Sequence, residues 1–148
     1  MTRIEKSIEI KVPPAKAWEM LAFDRMAEWL DEVKSVQYTS EVRTPEDKYR
    51  VGASGHVAEK HVKYDIEMME SIKNEKIVVL SKNLGWGKVT MSLTYALEPV
   101  GEGTKLTYVM EYNNPWFFGK TMDRMFGTKH AEKGVERSLN NLKRILEK

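Results

Sequence analysis

Residues 87–112, GKVTMSLTYALEPVGEGTKLTYVMEY, contain two runs in which apolar and polar residues alternate, separated by a glycine-rich turn. A period of two residues is typical of strands that bury one face. The turn at 101–103 is short, so the two strands must be antiparallel neighbours. We therefore predict strands at about 87–98 and 104–113. The residues on the apolar face are Val89, Met91, Leu93, Tyr95 and Leu97 in the first strand and Leu106, Tyr108, Met110 and Tyr112 in the second.

After this hairpin the apolar period changes from two to about 3.6 residues, which is the period of an amphipathic helix. The pattern runs from Trp116 to about Glu147. A continuous helix of this length measures about 45 Å, which is longer than any of the strands. It must therefore lie along the sheet and cover its core. The stripe consists of Phe118, Met122, Met125, Val135, Leu139, Leu142 and Leu146.

Upstream of the hairpin, turn signals at 44–47, 73–76 and 85–87 divide the chain into further strands at about 33–43, 49–59, 61–73 and 76–83. Nearer the N-terminus, alternating apolar residues predict a first strand over about 4–12. Pro13-Pro14 ends this strand, and short helices are predicted over about 15–22 and 24–30. The fold class is α+β: a seven-stranded curved antiparallel sheet, connected as a meander, around a long C-terminal helix, in one domain over 1–148.

Composition limits the classes of function. The chain has 148 residues, 41% hydrophobic and 31% charged, with a net charge of +2 and scattered basic residues, so nucleic-acid binding is not predicted. The absence of cysteine excludes disulfides and thiolate ligands and fits a reducing compartment. No signal peptide, membrane span, metal-ligand spacing or cofactor motif is recognisable. We expect a cytoplasmic protein with neither metal nor cofactor.

Several stretches resemble one known family. "IEKSIEIKVPPAKAWEMLAFDRMAEWLDEVKSV" at 4–36 is similar to its opening, and "YRVG", "GEGTKLTYVMEY" and "SLNNLKRILEK" are similar to its later landmarks. The family is the polyketide cyclase/dehydrase and lipid transport family of the START-like, birch-pollen-allergen-like (SRPBCC) superfamily. The resemblance covers Ile4 to Leu146 and implies a helix-grip fold. It also implies a hydrophobic cavity between sheet and helix, with members that bind lipids, quinones, polyketides or hormones, and no universal catalytic residue.

The candidate cavity residues combine small, flexible and hydroxyl-bearing side chains. Small residues recur along the helix and either leave space for a ligand or let the helix approach the sheet closely. Methionines and tyrosines suit a ligand pocket or simply fill the core. The predicted cavity set is Tyr64, Met68, Glu70, Met91, Tyr95, Tyr108, Met110, Met122, Met125, Phe126, Gly127, His130, Ala131 and Gly134.

Two residues are candidates for proton transfer. Glu70 has the parity of Tyr64, Ile66 and Met68, so it either faces the cavity or lies in water at the open end of the sheet. His130, near the middle of the predicted helix, could point into the cavity. The aromatic run at 116–118 is either an entrance rim capable of transient membrane contact or an anchor at the start of the helix.

Three hypotheses of function follow. The first is binding or carrying a hydrophobic small molecule, such as a lipid, isoprenoid, quinone or polyketide-like compound. The alternatives are a cyclase or dehydratase acting on a polyketide-like substrate, for which no catalytic signature is present, and a protein-interaction module. The identity of the ligand, the openness of the cavity and the oligomeric state are left undetermined by the sequence.

Overall fold

The computed structural model describes residues 2–59, 62–82, 90–112 and 128–148. The helices in these ranges are α1 (Pro14–Glu19) and α2 (Thr128–Leu146), and 3₁₀ helices cover Phe23–Glu28 and Pro45–Lys48. The strand bounds lie within a few residues of most predictions. The strands are β1 Thr2–Ile10, β2 Val33–Tyr38, β3 Ser54–Glu59, β4 Lys63–Ile72, β5 Lys76–Lys82, β6 Met91–Val100 and β7 Gly103–Tyr112.

The strands form one antiparallel seven-stranded sheet in the order β1-β7-β6-β5-β4-β3-β2. This confirms the predicted α+β helix-grip fold, in which the curved sheet forms a half-barrel. The predicted meander is correct for β2 to β7 but wrong for β1, which pairs with β7 through contacts such as Ile4 opposite Met110. The helical segments between β1 and β2 carry the chain from one edge of the sheet to the other.

The alternating pattern defines the inward face of the sheet. In β6 and β7, Leu93, Tyr95, Leu106 and Tyr108 are each at most 5% exposed. The segment after β1 supplies the indole of Trp29, which is fully buried and donates a hydrogen bond from Nε1 to the Met20 carbonyl at 2.9 Å. The core therefore lies between this face, the short helices and α2.

Strand β3 begins at Ser54 rather than near residue 49, because a tight turn occupies the preceding segment. The carboxylate of Asp47 accepts hydrogen bonds from the backbone N–H groups of Arg43 and Thr44 at 2.9 and 3.1 Å. Gly52 then adopts a φ of +92°, a conformation that favours glycine. Because the chain is held in this turn, β3 starts only at Ser54.

Helix α2 packs its apolar stripe onto the core, where Val135, Leu139 and Leu142 are buried. Polar contacts fix its position: the Lys143 Nζ donates to the Glu9 carbonyl at 2.7 Å. The predicted helix began at about residue 116, but residues 113–127 lie outside the described ranges. None of the helices in the described ranges combines the length and apolar character needed to cross a membrane.

Candidate functional site

A cavity of about 200 Å³ lies between the inward face of the sheet and α2. Three parts of the chain surround it. The sheet contributes Glu59, Tyr64, Met91, Leu93, Tyr108 and Met110, the segment before β2 contributes Leu30, Asp31, Glu32 and Val33, and α2 contributes Ala131, Gly134, Val135 and Ser138. The cavity is thus mostly apolar, with a small number of polar groups in its wall.

The helix wall of the cavity carries small side chains. Among the described residues, a Cβ atom added at Gly134 would meet only the Asp31 Oδ2, at 3.9 Å, which is an ordinary contact distance. Ser138 donates a hydrogen bond from Oγ to the Gly134 carbonyl and accepts one from the Asp31 N–H, both at 2.8 Å. These contacts hold the segment before β2 against α2 while leaving space beside Gly134.

On the sheet wall, Glu59 and Tyr64 form a hydrogen-bonded pair. Glu59 shares the inward parity of Gly55 and Val57 at the end of β3, and Tyr64 lies opposite Val57 in β4. The Tyr64 hydroxyl donates to the Glu59 Oε1 at 2.6 Å. The pair therefore places a carboxylate at an otherwise largely apolar surface.

Burial raises the pKa of Glu59, and the hydrogen bond from Tyr64 opposes this shift. The neighbouring negative charges of Glu32 and Asp31 raise the pKa of Glu59 further. For Tyr64, burial and then the negative charge of Glu59 raise the pKa of the hydroxyl. Tyr64 therefore stays protonated and acts as the donor in the pair.

Next to this pair, Trp29, Tyr95 and Tyr108 form an edge-to-face aromatic cluster. The ring centroids of Tyr95 and Tyr108 are 4.8 Å apart, and those of Trp29 and Tyr95 are 5.5 Å apart. Such arrangements are favourable for aromatic pairs. Burial raises the pKa of Tyr108 to about 12, so its hydroxyl also stays protonated at neutral pH. The cluster forms a rigid base beside the cavity.

At the helix side, Asp31 is paired with Arg137. The guanidinium donates from Nη2 and Nε to the Asp31 Oδ2 at 2.8 and 3.0 Å. The adjacent Glu32 adopts a φ of +67°, which is uncommon for a residue with a side chain. Within the described ranges, no three His, Asp or Glu residues are grouped so that they could hold a metal ion.

The predicted cavity residues other than Glu70 fall into three groups. Met68 and Tyr95 are fully buried in the core and do not line the cavity. Met122, Met125, Phe126 and Gly127 lie outside the described residues, as does the aromatic run at 116–118, and for His130 only the backbone in α2 is described. Those that line the cavity are Tyr64, Met91, Tyr108, Met110, Ala131 and Gly134.

The structure contradicts the alternative in which Glu70 faces the cavity. The pairing of β4 with β5 shifts between Met68, which lies opposite Val79, and Glu70, which lies opposite Val78. This β-bulge adds one residue and reverses the parity beyond it. Glu70 therefore lies on the outer face, where its Oε1 contacts the Lys76 Nζ at 2.8 Å. It is not in a position to act on a ligand in the cavity.

Sequence reasoning missed the carboxylates of the site, namely Glu59, Asp31 and Glu32. For Glu59 a signal exists, because its parity with Val57 places it on the inward face at the end of β3. For Asp31 and Glu32 no periodic pattern applies, since they lie in an irregular connection before β2. Their position depends on contacts with α2, and Asp31 lies 107 positions before its partner Ser138 in the sequence.

A second, more open depression of about 770 Å³ lies beside α1, the 3₁₀ helix at Pro45–Lys48 and the β4–β5 turn. The stacked rings of Trp18 and Tyr49, with centroids 4.8 Å apart, form one side. Charged residues, including Glu46, Arg50 and Lys73, surround the rest. It contains none of the predicted cavity residues.

Comparison with solved structures shows the same fold across nearly the whole chain. The protein TTHA0849 from Thermus thermophilus has a TM-score of 0.77 at 18% identity, covering 98% of this chain and 97% of that one. The Aha1 dimer from Colwellia psychrerythraea has a TM-score of 0.71 at 18% identity, with 99% and 97% covered. The corresponding values for Ara h 8.0201 are 0.66 and 12%, with 98% and 97% covered. At these identities the similarity shows the fold alone.

Comparison by sequence identifies the family. A search of proteins with curated descriptions finds no match to this sequence. The model of one family, described as polyketide cyclase / dehydrase and lipid transport, matches residues 1–147. The match spans every strand and helix of the half-barrel and both walls of the cavity. This chain therefore belongs to the polyketide cyclase/dehydrase and lipid transport family.

Proposed function

We propose that this protein binds a compact hydrophobic small molecule in the cavity between the sheet and α2. The observation that carries the proposal is the cavity itself, whose walls are mostly apolar and include the Glu59–Tyr64 pair. Pockets of this composition are typical of small-molecule sites. The family description names cyclisation, dehydration and lipid transport, which supports hydrophobic ligands in general but no specific ligand.

The size of the cavity restricts the ligand. An apolar cavity of about 150 Å³ takes up a molecule of benzene. The portion bounded by described residues, about 200 Å³, accommodates a slightly larger group. We expect this portion to hold about ten non-hydrogen atoms of a lipid, isoprenoid, quinone or polyketide-like ligand.

The alternative of a cyclase or dehydratase is less well supported. Its sequence-based motive was that Glu70, His130 or a tyrosine could move a proton inside the cavity. Glu70 lies on the outer face and is paired with Lys76, so it is no longer a candidate. Burial raises the pKa values of Tyr64 and Tyr108, so these tyrosines keep their protons at neutral pH. The side chain of His130 lies outside the described residues. We therefore favour binding over catalysis.

Native mass spectrometry of the freshly purified protein, before and after mild organic extraction, tests the proposal. A discrete releasable mass is the expected result, and its identification gives the ligand class. The variant Gly134→Leu adds four carbons that extend from the open side of α2 into the cavity. We expect this variant to lose the bound mass while remaining folded.

The matched control is Lys133→Leu, which adds a leucine one position earlier in α2 on an exposed site. It should retain the ligand. If Gly134→Leu is folded and also retains the ligand in full, the ligand occupies another site, such as the depression beside Trp18 and Tyr49. That outcome would contradict the proposed location.

A further inference from the structure

We propose that Glu59 makes the cavity selective for ligands that present a hydrogen-bond donor, such as an alcohol or an amine, and excludes ligands that present a carboxylate. The inference rests on the proposed binding function and assigns a chemical class to the polar end of the ligand. Two observations support it. Glu59 lies in the cavity wall with Tyr64 as its hydrogen-bond donor, and the nearby Arg137 is already paired with Asp31.

The first step concerns what Glu59 can still accept. An ionised carboxylate offers about four lone-pair sites. Tyr64 donates one hydrogen bond, to Oε1. Acceptor capacity therefore remains on a group that lines the cavity and is partly removed from water. A ligand hydroxyl or ammonium group placed there would form a charge-assisted hydrogen bond, which is stronger than a neutral one.

The second step concerns the absence of a compensating cation. None of the described residues that line the cavity is a lysine or an arginine. The nearby Arg137 is engaged by Asp31, with two hydrogen bonds to the Asp31 Oδ2. A ligand carboxylate would therefore lose its hydration beside the carboxylate of Glu59, and like charges brought together in this way are strongly unfavourable.

The third step concerns ligands that only accept hydrogen bonds. The Tyr64 hydroxyl already donates to Glu59 at 2.6 Å, so a ligand ether or ketone would have to compete with a carboxylate for that donor. Such a ligand would gain little from the Tyr64 hydroxyl and would depend mainly on apolar contacts. We therefore expect donors to bind best, neutral acceptors to be intermediate and carboxylates to bind worst.

A matched series of small probes tests this order. Phenylpropanol, phenylpropylamine, the methyl ether of phenylpropanol and phenylpropanoate share a phenyl ring on a three-carbon chain, of a size suited to the described part of the cavity, and differ at the polar end. Their dissociation constants can be measured by titration into ¹⁵N-labelled protein at neutral pH, following the amide resonances of Ala131 and Gly134. The alcohol and the amine should bind at least about tenfold more tightly than the carboxylate.

The variant Glu59→Gln keeps the shape of the side chain and an oxygen that accepts from Tyr64, but removes the charge. It should improve binding of phenylpropanoate and weaken binding of phenylpropylamine. Glu70→Gln makes the same change of charge on the outer face and should leave the order unchanged. The two variants together separate a local effect from an effect of net charge.

The outcomes are distinct. If all four probes bind wild-type protein equally, the selectivity assigned to Glu59 is wrong while the binding function stands. If the order is as expected but Glu59→Gln and Glu70→Gln behave alike, selectivity does not come from Glu59, and the inference is overturned. If no probe shifts the resonances of Ala131 and Gly134, the proposed binding function itself fails, and the inference fails with it.

Discussion

The substitution Gly134→Ala tests whether the glycine at this position leaves room in the cavity at a cost to the stability of α2. Glycine inside a helix is less stable than alanine by about 0.5–1 kcal/mol. Among the described residues the added Cβ would meet only the Asp31 Oδ2, at 3.9 Å, so they impose no steric penalty that offsets this gain. We expect the free energy of unfolding to increase by about 0.5–1 kcal/mol and Tm to rise by about 1–4 °C.

The assay is equilibrium urea denaturation followed by far-UV circular dichroism, together with a thermal scan. The matched control is Gly52→Ala. A Cβ at Gly52 would meet no atom of the described residues within 4 Å, but the residue has a φ of +92°. Because alanine is strained in that conformation, we expect this control to destabilise the protein by about 1 kcal/mol. The two substitutions thus separate backbone conformation from available space.

A destabilised Gly134→Ala variant would refute the reasoning, because it would mean that the wall beside Gly134 is closed rather than open. A stabilised variant that binds the ligand less tightly would support the view that glycine is retained at this position for the ligand. The expected loss of affinity is modest, since one methyl group fills a small part of the cavity.

Three further predictions concern the same region. Ser138→Ala should lower the free energy of unfolding by about 1–3 kcal/mol in urea denaturation, because the Asp31 N–H loses its partner. Trp29→Phe should cost about 1–3 kcal/mol in the same assay, because the buried Met20 carbonyl loses the hydrogen bond from Nε1. Glu59 has a pKa raised by burial, so its ionisation lowers folded-state stability as pH rises above about 4.5. Glu59→Gln should therefore stabilise the protein more at pH 7 than at pH 4, and an equal effect at both would contradict this.

The architecture could be predicted because its elements carry strong local patterns. The alternation in β6 and β7 and the helical period of α2 define which faces are buried, and both are visible without knowledge of neighbours. The pairing of β1 with β7 was not predictable in the same way. It depends on where the short helices after β1 direct the chain, and a contact such as Ile4 with Met110 joins residues more than a hundred positions apart.

The orientation of Glu70 could not be predicted because parity counting assumes a regular strand. A single extra residue, Met69, reverses the face of everything that follows it in β4. Neither Met68 nor Met69 has a residue type that marks a bulge, as a glycine would. The error is therefore a general limit of reading alternation across a strand ten residues long.

The polar side of the cavity is formed where the end of strand β3 meets the irregular segment before β2. Glu59 continues the inward parity of β3 to the last residue of the strand, where the core gives way to the cavity. Asp31 reaches the same cavity from an irregular segment that Ser138 and Arg137 hold against α2. Arg137 compensates one of these two carboxylates, whereas Glu59 has a neutral tyrosine as its partner. The proposed selectivity of the cavity therefore depends on a local imbalance of charge that neither the fold nor the family determines.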